Sequence, residues 1–146
     1  MLRDFNWKAL IAVGLLAGGI QAVAGVVMYV VGIYFVPWSM FISLAVLLLC
    51  IVYFTPRYRD SALNGQLSYR QALIIGIVIS VCTGIVYAVY NLISISFFYP
   101  NFLANMPAGM TAKTVALSNL IRLSLFGTWL SIFLAFYLKD KHTKPR

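Results

Sequence analysis

The sequence predicts an all-α fold, an integral membrane four-helix bundle made of two antiparallel helical hairpins, with residues 1–146 forming one transmembrane domain. Three observations carry that prediction. Mean hydropathy is +0.93 and only 10% of the residues are charged, a balance outside the range of water-soluble domains. Apolar runs at about 9–35, 39–55, 72–99 and 115–138 each approach or exceed the roughly 17–25 residues that a helix needs to cross ~30 Å of hydrocarbon. The basic residues stand at the ends of those runs instead of being spread over a surface. Helices are the economical reading of the runs, because an open strand leaves its backbone groups unpaired in lipid.

The first helix is expected to begin after "DFNWK", where Phe5 and Trp7 suit a headgroup layer, and to end in "IYFVPW", stopped by Pro37. Arg3 and Lys8, the apolar run and "AVAG" at 22–25 imitate a signal peptide. The run continues through "VVMYVVGIYFV" to Phe35, too long for a signal sequence, so an uncleaved helix is the reading adopted. Gly14 and Gly18 make a small-xxx-small step, with Gly25 and Gly32 further along, which predicts close packing inside the chain or in a homodimer. Gly76, Gly84 and Gly127 are assigned the same work. The few residues between helices one and two require a tight hairpin, and Pro56 with the arginines after it is expected to close helix two.

Between the second and third runs lies "PRYRDSALNGQLSYRQA", the one long polar stretch. Asn64 and Gly65 form a turn signal that tolerates positive φ. Ser68 and Gln71 have the S-x-x-Q spacing of a capping box before an apolar run. Asp60 beside Arg57 and Arg59 reads as local charge balance, with binding of lipid phosphate or an acidic partner as the alternative. Helix three is long enough to tilt and ends in aromatics before Pro100, as helix one does before Pro37. "ALI" recurs at 9–11 and 72–74 with the same 63-residue offset, an echo consistent with two parallel repeats. The segment 100–114 suggests a loop along the interface, after which helix four returns to the basic tail "FYLKDKHTKPR".

Nine of eleven basic residues fall on one side of the predicted spans: Arg3, Lys8, Arg57, Arg59, Arg70, Lys139, Lys141, Lys144 and Arg146. The positive-inside rule places both termini and the 56–71 loop in the cytoplasm, with anionic lipid as their partner. Asp4, Asp60 and Asp140 share that side. The net charge of +8 therefore reads as topology, not as nucleic-acid binding. Cys50 and Cys82, inside spans two and three, read as packing residues.

Polar groups inside the spans are the candidate site, because each costs free energy unless partnered. Gln21 lies mid-helix one, Asn91 in the outer half of helix three near Tyr87 and Tyr90, and Arg122 with Asn119 in the outer half of helix four. Asn91 and Arg122 share a depth, so they could meet inside the bundle. Gln21 and Asn91 are assigned interhelical hydrogen bonds, and Arg122 either snorkels to the outer headgroups or holds an anion. There is no glutamate, and the lone His142 sits in the tail. Nucleophile–base pairs, metal ligand clusters and phosphate loops do not occur as motifs, so neither an enzyme nor a cofactor or metal is expected.

"YRD" at 58–60 and "NGQLSYRQALIIG" at 64–76 resemble a family of small bacterial four-helix integral membrane proteins catalogued as a domain of unknown function. The resemblance implies the fold and a bacterial inner-membrane location, and singles out Tyr58, Arg59, Asp60, Gly65, Ser68 and Gln71 as a cytoplasmic loop motif. It implies no mechanism. The expected function is a structural or interaction component of the envelope, acting as a homo-oligomer or with a membrane-protein partner. The alternative is a small channel, pore or transporter subunit with a polar cavity near Arg122.

Overall fold

The computed structural model describes residues 5–34, 38–64, 66–98 and 109–138. Four helices account for most of them: α1 (Trp7–Val30), α2 (Ser39–Ala62), α3 (Tyr69–Ile93) and α4 (Ala112–Leu138). A π-helical segment, Ser94–Phe98, continues α3. Each of the four is long and apolar enough to cross a membrane. No strand occurs among the described residues.

Helix ends depart from the expected spans for identifiable reasons. The Asn6 side chain accepts the Ala9 N–H at 3.2 Å and caps α1. At the other end Gly32, with φ +80°, donates its N–H to Tyr29 O while Ile33 donates to Met28 O, both at 2.9 Å. This pair of bonds is a Schellman motif, so α1 stops at Val30 and not near residue 35. Gly32 is thus the C-terminal cap and packs against nothing, contrary to its reading as a packing glycine. Pro37 and Gly65 lie outside the described residues.

Helix α2 passes through Pro56 and ends at Ala62, so Pro56 does not close it. A proline in a helix interior loses one backbone bond and crowds the carbonyl four residues back. Tertiary contacts hold the helix across that gap: Tyr58 is buried in the core, and its hydroxyl donates to Asn6 O at 3.1 Å. The connector to α3 is consequently shorter than 56–71, covering only 63–68. Asn64 takes φ 51° in that turn, as its residue type anticipates. The capping box forms in full: Gln71 N–H donates to Ser68 Oγ at 3.3 Å, and Ser68 N–H donates to Gln71 Oε1 at 3.0 Å. A similar exchange between Thr111 and Thr114 opens α4 at Ala112, ahead of the expected 115.

The glycines report the helix packing. Gly14 lies against Cys82 and Gly18 against Val86, so α1 and α3 run parallel and in close contact. On its other side α3 meets α4 antiparallel, Gly76 opposite Ser131, Gly127 opposite Ser80, and Gly84 opposite Ser124 and Leu120. Helix α2 touches α1, α4 and α3. Helix α3 is accordingly the most enclosed, with 44% of its apolar window buried against 22% for α4.

Leu10, Leu47, Ile51, Ile75, Ile79 and Leu123 fill the interior. Buried among and beyond them are polar side chains, including Gln21, Thr55, Ser80, Thr83, Asn91 and Ser131. Large apolar residues such as Leu16, Val23, Leu49, Leu125 and Trp129 stand outside, each at least half exposed. That inversion of the water-soluble pattern fits helices whose solvent is hydrocarbon.

Candidate functional site

Helix register brings the intramembrane polar residues to similar depths. With Gly18 against Val86 and Gly25 against Tyr87 and Tyr90, Gln21 sits level with the Tyr87–Tyr90 turn of α3. Extending the antiparallel pairing of Gly84 with Ser124 and Leu120 places Asn119 about level with that same turn. The half of the bundle nearer the C-terminal end of α3 therefore holds Gln21, Tyr87, Asn91 and Asn119, all buried, within about two helical turns of one another.

Their partners differ from those expected. Asn91 donates from Nδ2 to Tyr87 O at 2.8 Å, and its Oδ1 accepts the hydroxyl of Tyr34, a close contact. It does not bond Arg122. The Tyr34 link ties the segment after α1 to the C-terminal end of α3, where the π-helical turn begins. The sequence marks Tyr34 only as one of the aromatics that end helix one before Pro37; no local spacing pairs it with a residue 57 positions away. Tyr87 and Tyr90 stack with ring centroids 5.7 Å apart.

Gln21 is fully buried, and neither its amide nitrogen nor its oxygen has a hydrogen-bond partner. The interhelical bond assigned to it is therefore not formed. Thr83 Oγ1 and Tyr90 OH are likewise buried and unpartnered. At 100° per residue, Gln21 falls near the middle of the buried arc formed by Leu10, Gly14, Ala17, Gly18, Gly25 and Met28, directed at the bundle interior.

Arg122 lies on the other side of α4. Gly127 faces α3, and Arg122 is turned about 140° away from it around the helix. It lines a shallow open groove with Thr114, Leu117, Ser118, Ile121 and Phe126, all from α4. Nη2 donates to Asn119 Oδ1 at 2.5 Å, while Nε is buried and unpartnered. Contrary to expectation, Asn91 and Arg122 do not share a depth: the pairing of Gly76 with Ser131 and of Gly127 with Ser80 sets Arg122 level with Ile85, about six residues or ~9 Å along α3 from Asn91, and one faces the interior while the other faces the exterior.

The packing residues resolve into two interlocks. A methyl added at Gly14 would come within 2.5 Å of Cys82 Cβ, and one at Gly18 within 2.5 Å of Val86 Cβ, so both glycines are engaged by α3 of the same chain. Between α3 and α4, Gly76 receives Ser131 and Gly127 receives Ser80. Each serine also donates to its own helix, Ser80 to Gly76 O at 2.7 Å and Ser131 to Gly127 O at 2.6 Å, so no hydroxyl is left unpaired in the contact. The sequence reading identified the glycines but not the serines; the matching G-x-x-x-S spacing at 76–80 and 127–131 was the available signal.

In the loop motif between α2 and α3, Tyr58 anchors α2 to Asn6, Arg59 Nε meets Asp60 Oδ1 at 2.7 Å, and Ser68 with Gln71 caps α3. Arg57 lies over the Tyr53 ring, 4.2 Å from its centroid. These residues shape and hold the connector. Among the described residues no three His, Cys, Asp or Glu side chains group to hold a metal ion.

A family model described as "Protein of unknown function (DUF4199)" matches residues 12–124. No curated protein and no solved structure matches the chain.

Proposed function

The chain belongs to that family, whose description assigns no activity, and we propose that it is a multi-pass protein of a bacterial inner membrane serving as a structural or interaction component of the envelope. The observation that carries this reading is the place of Arg122, outside the bundle on α4. A conducting or carrying path would need its cation on the axis, within reach of Gln21 and Asn91. Support comes also from the interior, where Asn91 is held by Tyr34 and Tyr87 and the α3–α4 contact is closed by glycine–serine interlocks.

On this reading the protein is not an enzyme and needs no cofactor. Both termini and the 63–68 connector lie on the cytoplasmic side, where Arg57, Arg70 and the basic tail attract anionic lipid. With α1 occupied by α3 along Gly14 and Gly18, a homo-oligomer or a membrane-protein partner would use the outward apolar faces instead. The test is reconstitution in liposomes loaded with an anion-sensitive dye. Wild type is expected to give no flux above protein-free liposomes at any protein density. A flux that falls in Arg122→Leu would overturn the proposal and favour a channel.

A further inference from the structure

The outward face of α4 joins features that packing inside the bundle does not explain. Thr114, Ser118, Arg122 and Phe126 follow one another at four-residue spacing, a polar ladder that ends in an aromatic ring, flanked by Leu117 and Ile121. The arginine carries a full charge into an apolar span, yet the sequence has only three acids: Asp60, near the C-terminal end of α2 and so at the opposite end of the bundle from the start of α4, and Asp4 and Asp140, which precede α1 and follow α4 in the sequence. Asn119 supplies one neutral acceptor and leaves the guanidinium charge unbalanced.

Depth restricts what can balance it. Helix α4 has 27 residues, ~40 Å at 1.5 Å per residue, against ~30 Å of hydrocarbon. If centred, its first few residues lie in the headgroup layer, and the Arg122 Cα lies ~10 Å below that layer. Helical side chains lean toward the N-terminus, and the bond to Asn119, one turn earlier, shows this one doing so. The guanidinium is thereby raised toward the exposed Ser118 and Thr114. Its nearest abundant anions are the phosphates of the leaflet that receives the N-terminal end of α4.

We infer that the outward face of α4 seats one phospholipid of that leaflet, its phosphate drawn down onto Arg122 and Ser118 and its acyl chain laid along Ile121 and Phe126. The lining fits an amphiphile: donors at the headgroup end, apolar walls toward the bilayer centre. A second copy meeting this face through a two-fold axis would bring another Arg122 and no acid, so charge opposes that occupant. The inference rests on the membrane reading above.

The full chain in nanodiscs of phosphatidylglycerol and phosphatidylcholine, released for native mass spectrometry, tests it. Wild type is expected to retain a phospholipid whose occupancy falls about tenfold or more in Arg122→Gln, the effect of losing a charge-assisted pair. Arg122→Lys should keep an intermediate share, since a point charge replaces the fork. Alkaline extraction of the same membranes separates the two readings: release of the wild type would fail the membrane placement itself, whereas a membrane-retained Arg122→Gln with unchanged lipid occupancy would overturn the lipid site alone. Displacement of the lipid by millimolar inorganic phosphate, or loss of a dimer instead of a lipid in Arg122→Gln, would also overturn it.

Discussion

Replacing Gly76 by alanine tests the packing of α3 against α4. An added Cβ would overlap Ser131 Oγ and come within 2.7 Å of Ser131 Cβ, with Ser131 Cα at 3.5 Å. Neither serine atom is the far end of a flexible chain, so α3 and α4 must separate or one must turn, and overpacking of this kind costs ~1–3 kcal/mol. Against that stands the ordinary gain of Gly→Ala in a helix, up to about 1 kcal/mol. Gly19 measures the gain alone, because its Cβ would meet nothing within 4 Å. Gly76→Ala should therefore lie ~1–3 kcal/mol below Gly19→Ala in stability. Adding Ser131→Gly removes the two close atoms, and the next nearest, the Cα of residue 131 at 3.5 Å, is at an ordinary van der Waals distance. The double variant should recover most of the loss, a coupling of ~1–3 kcal/mol in a double-mutant cycle. The assay is unfolding of the purified protein in mixed micelles with rising SDS fraction, followed by circular dichroism. Equal midpoints for Gly76→Ala and Gly19→Ala, or strict additivity of the two substitutions, would refute the interlock.

Gln21→Leu removes a buried amide whose two polar atoms have no partner, while nearly keeping its volume. In the same assay it should be neutral or stabilising by about 1–2 kcal/mol, and a loss of more than ~1 kcal/mol would mean that a bound group satisfies Gln21 in the membrane. The proposed orientation predicts that a membrane-impermeant maleimide labels Met110→Cys in intact cells and Asn64→Cys only after lysis; the reverse pattern would invert the topology.

Legibility from sequence followed the range of the interactions. Local signals were read well: the Ser68–Gln71 capping box, the left-handed Asn64 and the charge pair at Arg59–Asp60 each depend on residues within one turn. Helix ends were read less well where two local signals competed. At Gly32 the cap preceded the proline assigned as the stop, and at Pro56 the missing backbone bond was outweighed by Tyr58 in the core.

The composition alone determined that this chain forms apolar helices long enough to cross a membrane, because burying some ninety apolar residues (62% of 146) in a core of this size is impossible and lipid must take the remainder. It also determined which polar residues stand inside the spans, since a charge or amide among apolar neighbours is visible in one dimension. Which way each of them faces was decided only by the tertiary structure. Sequence offers no reason to separate Asn91 from Arg122; the glycine–serine contacts of α3 with α4 set the register and rotation of each helix, offsetting the two along the bundle and turning Asn91 to Tyr34 and Arg122 to the outward face of α4. Rotation about a helix axis depends on the fit of side chains from different helices, a long-range property that no local pattern encodes.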